Sequence, residues 1–280
     1  MSESPKVAYQ GVEGAYSHLA CVAALPEHDP LACHSFEDMM AAVQTGKAER
    51  AMVPVENSVA GRVADIHHLL PGSGLKIIGE HFQRVNHMLM GLKGTKLEEL
   101  VEVHGHPQGL AQCRILFNQL GLTPVQHADN AGAAADVARW GDKSKAAIAS
   151  SLAAEVYGLE ILKDSVEDAE HNTTRMLIMA REGILPPLNA GKCVTTIVFR
   201  VRSVPAALYK ALGGFATNSV NLTKLESYML GGHFEAAQFY IDAEGHPDEI
   251  GMQHALDELL YFCEEVTILG TYPASDFRGV

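Results

Sequence analysis

A break in rhythm at Glu182–Lys192 (EGILPPLNAGK), with two prolines and two glycines, divides this chain into two differently patterned parts. Ahead of it, strand-like and helix-like segments alternate. Lys6–Gln10 reads as a short strand, followed by a turn at Gly11–Gly14 and a helical run from Tyr16. Phe36, Met39, Met40 and Val43 fall on one face of a helix, and Arg50–Val55 is a short apolar strand. Val59, Val63, Ile66 and Leu70 again have helical spacing, ended by Pro71–Gly74. Leu110, Cys113, Phe117 and Leu120 predict a further amphipathic helix, and Ala146–Ala149 a buried strand. Such alternation implies helices packed on mostly parallel sheets.

Beyond the break the order changes. Val194–Val201 is a β-branched strand, and Leu208, Ala211, Leu212 and Phe215 form a helical face. Val220–Tyr228 and His233–Asp242 read as strands joined at Gly231-Gly232, a hairpin signal. Met252, Leu256, Leu259, Leu260 and Cys263 mark a second helix, and Val266–Gly270 a last strand. This is β-α-β-β-α-β, the ferredoxin-like plan.

Composition narrows the function. A net charge of −13, with no compensating basic stretch, argues against general nucleic-acid binding. It also repels an anionic ligand, which then needs helix N-termini and a few placed cations. The five cysteines (Cys21, Cys33, Cys113, Cys193, Cys263) are scattered, with no CxxC pair, and read as reduced thiols. The opening MSESPKVAYQ has no apolar leader, and no run is long enough to span a membrane, so a cytoplasmic location without membrane association is expected. His104/His106 and His67/His68 lack the partner spacing of a metal site, and no metal is expected.

Four polar clusters fall where strands give way to helices, places at which backbone N–H groups and side chains can face one ligand. In Gly11–Ser17 (GVEGAYS) the glycines allow a tight turn and Ser17 can bond an anion, although taken alone the segment is better read as an ordinary βα turn. In Pro54–Gly61 (PVENSVAG), Asn57 or Ser58 suits a helix N-cap, a reading that leaves Glu56 without a task. In Gly105–Cys113 (GHPQGLAQC), Gln108 and Gln112 stand one helical turn apart, on one side of a helix. His171–Arg175 (HNTTR), ahead of the apolar Met176–Ala180, carries too many hydrogen-bonding side chains for a simple turn, and Arg175 offers a carboxylate clamp.

These four segments, in this order, resemble the prephenate dehydratase family, whose pattern includes an ENS stretch and an NxTRF signature. PAALYKALGGFATNSVNLTKLES (205–227) resembles the phenylalanine-sensing ACT domain fused to those enzymes. Some positions depart from the pattern: Met176 replaces the signature Phe, Gly105 replaces a Ser, Ala15 stands where Thr is common, and ESYM (Glu226–Met229) replaces ESRP. The resemblance implies decarboxylating dehydration of prephenate to phenylpyruvate, without a cofactor. It further implies a two-lobed, periplasmic-binding-protein-like catalytic domain over 1–183, a linker over 184–192 and a ferredoxin-like ACT domain over 193–280.

Residue roles follow from the same resemblance. Thr174 would stand beside the leaving hydroxyl, Glu56 would be a proton source if burial keeps it protonated, and His171 a second donor. Asn57 and Gln112 would hold the substrate by their amides, with Asn172, Ser58, Ser17 and Ser150 as further contacts. Arg175 would bind a carboxylate, a structural ion pair being the alternative. Phenylalanine would bind between Pro205, Ala206, Ala207 and Leu208 on one side and Asn221, Leu222, Glu226 and Ser227 on the other. A homodimer or homotetramer formed through the ACT domain is expected. Arogenate dehydratase activity, or a non-catalytic solute-binding or amino-acid-sensing role, is the alternative. No mutase domain fused at the N-terminus is expected.

Overall fold

The computed structural model describes residues 4–168, 171–202, 204–229 and 236–279. The chain opens with β1 (Lys6–Gln10), α1 (Tyr16–Ala24), β2 (Asp29–Cys33), α2 (Phe36–Gln44), β3 (Arg50–Asn57), β4 (Gly61–Arg62) and α3 (Ala64–Leu69). It continues through β5 (Lys76–Arg84), β6 (Met88–Gly91), β7 (Glu102–Gly105), α4 (Pro107–Ala111), α5 (Arg114–Leu120) and β8 (Thr123–Gln126). Next come α6 (Asn130–Trp140), β9 (Lys145–Ala149), α7 (Ser151–Tyr157), β10 (Glu160–Lys163) and β11 (Thr173–Ala180). The last part holds β12 (Cys193–Val201), α8 (Ala207–Thr217), β13 (Leu222–Met229), β14 (Ala236–Glu244), α9 (Ile250–Phe262) and β15 (Cys263–Pro273).

Two compact units result, one of residues 1–63 and 82–176, the other of 64–81 and 177–280. The first unit is α/β and two-lobed. Parallel pairing of β1 with β2 and with β3 builds one lobe, in a sheet of order β2-β1-β3-β11-β5 with β4 on β3. The other lobe is the sheet β10-β6-β9-β7-β8, in which β7 runs parallel to β8 and β9 while β6 is antiparallel. Its core joins Leu89, Val103, Leu110, Phe117 and Ile148, all nearly inaccessible, each contributing about 1.5–3 kcal/mol by leaving water. The chain passes between lobes twice, between β5 and β6 and between β10 and β11. These crossings are bonded together, Val85 N–H donating to Asn172 O (2.8 Å) and Val166 N–H to His87 O (2.9 Å).

In the second unit, β12-α8-β13-β14-α9-β15 forms the antiparallel sheet β13-β14-β12-β15, the ferredoxin-like βαββαβ plan that the sequence predicts. Phe199, Phe215, Ile241 and Leu259 fill the core between its sheet and its helices. The hairpin at Gly231-Gly232 and the start of its return strand at His233 lie outside the described residues. Buried charges also mark this unit. The Arg278 guanidinium donates to both carboxylate oxygens of Glu80 (2.6 and 2.8 Å) and to Thr223 Oγ1 (3.1 Å).

Two helices differ from the sequence expectation. The predicted helix through Val59–Leu70 is helical only over Ala64–Leu69. The Asn57 side-chain oxygen accepts from the N–H groups of Val59 (2.9 Å) and Ala60 (2.8 Å), and Gly61 takes φ +81. A tight hairpin therefore folds β4 back onto the end of β3, and Val59 is exposed. The Leu110–Leu120 helix is broken into α4 and α5 at Gln112–Cys113. Asp168, from the second crossing, accepts from the N–H groups of Arg114 (3.0 Å) and Ile115 (3.2 Å), so α5 has its own N-terminal cap. In addition β3 runs past Val55 to take in Glu56 and Asn57, and β15 spans Cys263–Pro273 rather than Val266–Gly270 alone.

Candidate active site

The end of β3, the start of β11, the C-terminus of α4 and the two crossings meet in the first unit. Asn57 is the hub. Backbone hydrogens cannot change sides, so the bonds from Val59 and Ala60 fix its oxygen and with it the direction of its NH2 group. That NH2 donates to Thr174 Oγ1 (3.0 Å) and to Asn172 Oδ1 (2.7 Å). Asn172, buried at 3% exposure, must then present its own NH2 elsewhere, and it donates to Gln112 Oε1 at 2.8 Å. The hydrogen-bond polarity thus runs outward from the β3–β4 turn.

Two donors emerge from this chain. The Thr174 hydroxyl accepts from Asn57 and keeps its own proton, which has no acceptor among the described residues. The Gln112 NH2 group has no hydrogen-bond partner among the described residues either, its oxygen being already engaged. Accepting a bond polarises a hydroxyl and strengthens it as a donor, so Asn57 tunes Thr174 toward proton donation.

The remaining expected residues divide. Arg175 is buried and donates to Glu56 Oε1 at 2.9 Å, so in this structure the guanidinium is joined to the carboxylate beside it. Glu56 accepts this charge-assisted bond, which is the structural ion pair that the sequence reading held as the alternative to Arg175 as a substrate clamp and Glu56 as a proton source. Ser58 acts as a staple: its hydroxyl donates to His171 O (2.5 Å) and accepts from Thr173 N–H (2.9 Å), tying β3 to β11. His171 is exposed and contributes its carbonyl to that staple. Ser150 is buried, caps α7 through Ala153 N–H (3.2 Å) and donates to Gly14 O (2.6 Å), which joins the lobes. Ser17 makes no side-chain hydrogen bond among the described residues, and Gln108 is exposed rather than turned to Gln112.

Sequence reasoning missed His87 and Tyr16. His87 Nε2 lies 3.0 Å from Gln112 Oε1, and its Nδ1 lies 2.9 Å from the Tyr16 hydroxyl, which also reaches Asn86 O at 2.7 Å. Burial pushes the His87 imidazole toward its neutral form, opposed by the bond to Gln112 and by Glu167, and burial keeps the Tyr16 phenol protonated. Asn86-His87 stands just before the buried strand β6, as His171-Asn172 stands before β11, but a pair this short has no pattern of its own.

In the second unit, Pro205, Ala206, Ala207 and Leu208 line a cavity of about 490 Å³ together with Arg202, Tyr209 and Phe239. Ala206 sits there in left-handed backbone (φ 58), a conformation that costs a non-glycine residue about 1–2 kcal/mol. Asn221, Leu222, Glu226 and Ser227 do not line this cavity. Asn221 donates to Glu244 at 2.9 Å and Glu226 meets Lys224 at 3.5 Å. No group of residues suited to hold a metal ion occurs among the described residues, nor any helix long and apolar enough to cross a membrane.

The first unit is thus a two-lobed α/β body carrying a polarised amide chain that reaches a threonine hydroxyl. The chain belongs to the prephenate dehydratase family, whose sequence profile matches residues 7–184. It is 55% identical to the bifunctional N-acyl-homoserine lactone acylase/prephenate dehydratase of Komagataeibacter europaeus, over 97% of each chain. It is 40% identical to arogenate dehydratase 3 of Arabidopsis thaliana, a chloroplastic protein, over 96% of this chain and 67% of that one. Among solved structures, the prephenate dehydratase of Arthrobacter aurescens in complex with L-Phe superposes with a TM-score of 0.87 at 28% identity, covering 97% of this chain and 90% of that one.

Proposed function

We propose that this protein converts prephenate to phenylpyruvate, and that phenylalanine bound to its C-terminal domain regulates the reaction. The observation that carries this reading is the outward-pointing donor pair, Thr174 O–H and Gln112 NH2, fixed in direction by the β3–β4 turn. In the reaction the bond between the ring and its carboxylate breaks and its electron pair enters the ring. The ring C–O bond breaks with its pair, and the departing hydroxide takes up one proton, giving carbon dioxide, water and phenylpyruvate. Thr174 donates its hydrogen bond to the oxygen that leaves, where negative charge develops, and is held to the task by Asn57. Gln112 directs its NH2 group to a substrate oxygen. Aromatisation drives the reaction, so the protein needs to supply only positioning and a proton path.

An acceptor-rich keto acid suits two outward donors better than an ammonium-bearing substrate does, which favours prephenate over arogenate. In this proposal residues 1–183 catalyse, 184–192 link, and 193–280 form an ACT domain with phenylalanine at the Pro205–Leu208 cavity. The protein is proposed to work in the cytoplasm as a homo-oligomer. Acyl-homoserine lactone cleavage is a second reading, favoured by the name of the Komagataeibacter relative.

One assay separates these readings. Purified protein is supplied in parallel with prephenate, arogenate and an acyl-homoserine lactone, with and without phenylalanine. Phenylpyruvate from prephenate, altered by phenylalanine, is expected. Thr174→Ala should lower that turnover at least about a hundredfold, the low end for removing a proton-transfer participant. Wild-type protein that leaves prephenate untouched refutes the reading.

A further inference from the structure

The polarity of the amide chain has a consequence at its far end. The Gln112 oxygen already accepts from Asn172 and cannot donate, so the 3.0 Å contact to His87 Nε2 requires a proton on that nitrogen. Reversing Gln112 would demand reversing Asn172 and then Asn57, which the N–H groups of Val59 and Ala60 forbid. A neutral His87 is therefore the Nε2–H tautomer, and its bare Nδ1, 2.9 Å from the Tyr16 hydroxyl, competes for that single proton with Asn86 O at 2.7 Å. The His87 backbone is held as well. The His87 N–H donates to Glu167 Oε2 at 2.9 Å, and its carbonyl accepts from Val166 N–H. Gln112 sits at the frayed end of α4, a helix of five residues, so the helix by itself does little to hold that side chain.

We propose that His87 is a positioning residue of the reaction: its Nε2–H and Asn172 together pin the Gln112 oxygen, aiming the Gln112 NH2 group at the substrate. Tyr16 packs edge-on against the imidazole, with ring centroids 5.6 Å apart, and holds the ring in that orientation. This rests on the dehydratase reading and deepens it by adding the element that orients one of its two donors.

The test compares two variants that differ in where an amide stands. In His87→Gln the side-chain NH2 falls near the place of Nε2 and can still donate to Gln112. In His87→Asn the amide falls near Nδ1 and cannot reach it. His87→Asn is expected to lose at least about tenfold in kcat/KM for prephenate, as misaiming a contact group does, and His87→Gln to recover to within about threefold of wild type. Equal melting temperatures for the two variants would separate this pattern from a packing role. If both variants lose activity equally, or neither does, the proposal is overturned. Long-range nitrogen–proton NMR of the wild-type protein gives an independent reading: a neutral His87 protonated at Nε2 is expected, and the Nδ1–H tautomer overturns the assignment. Should the wild-type protein show no turnover of prephenate, the dehydratase reading and the positioning role fall together, whereas an Nε2–H signal would still establish the hydrogen-bond polarity.

Discussion

Asn57→Asp changes one NH2 group into an oxygen with almost no change of shape, and it strikes the hub of the site. The two backbone donors of the β3–β4 turn remain satisfied, since either side chain offers them an oxygen. The two outgoing bonds do not survive. A carboxylate would face Asn172 Oδ1 at 2.7 Å and Thr174 Oγ1 at 3.0 Å, acceptor against acceptor in the first case. Thr174 then turns its proton inward to the introduced carboxylate and no longer offers it to the departing oxygen. Losing that donor should lower kcat by about 10²–10⁴-fold, the range for one acid–base participant. Leaving a partly buried acceptor unmatched should cost about 1–3 kcal/mol of stability, so the variant folds. Phenylpyruvate formation, measured beside a thermal melt, reads both effects. Lowering the pH protonates the introduced carboxylate and restores an O–H donor, so the activity of the variant relative to wild type should rise as the pH falls. A variant within tenfold of wild-type turnover at neutral pH refutes the polarity argument.

Three further predictions concern other parts of the molecule. Gly105→Ser, which would restore the residue usual in the family pattern, should destabilise by about 1–3 kcal/mol in a denaturant melt. A Cβ there would stand 2.7 Å from Ile148 Cγ1 and 2.9 Å from Asn130 Oδ1, and unchanged stability would contradict that crowding. Arg278→Ala should cost about 3–5 kcal/mol in the same assay, since it strips a bidentate partner from Glu80, whose side chain is inaccessible; a loss under about 1 kcal/mol would show that the pair is dispensable. His104 is held toward its neutral form by burial, then by the charges of His127 and Lys145. Its folded pKa lies below the unfolded value, so the unfolded chain binds the extra proton first. Stability should be fully present above about pH 6.5 and decline as the pH falls from there toward the folded value. His104→Asn should flatten that decline, and an identical pH profile would argue against His104 as its source.

How far the sequence reaches is clearest at particular elements. Lys6–Gln10 and the helix from Tyr16 match the local pattern, because alternation and helical spacing act over a few residues and each element meets the core on the face that its apolar residues define. The βαββαβ plan was legible for the same reason. Thr174, Asn57 and Asn172 were legible as polar residues crowded beside buried strands, where polarity is costly without a task, and Gln112 through the family resemblance of its segment. The break between α4 and α5 was not, because its cause is Asp168, far along the chain, capping α5. His87 was not legible either, since a single histidine before a strand carries no meaning until its neighbours are known.

By itself the sequence determined which segments form strands and helices, their order, and which polar residues stand at the ends of buried strands. Tertiary structure alone decided that Arg175 meets Glu56, that Ser58 staples two strands, and that a turn at Val59–Ala60 sets the direction of every amide from Asn57 to His87. The reason is physical. Periodicity is a property of neighbours along the chain, whereas a hydrogen bond acquires its direction only when donor and acceptor, 117 residues apart for Asn57 and Thr174, are brought within 3.0 Å.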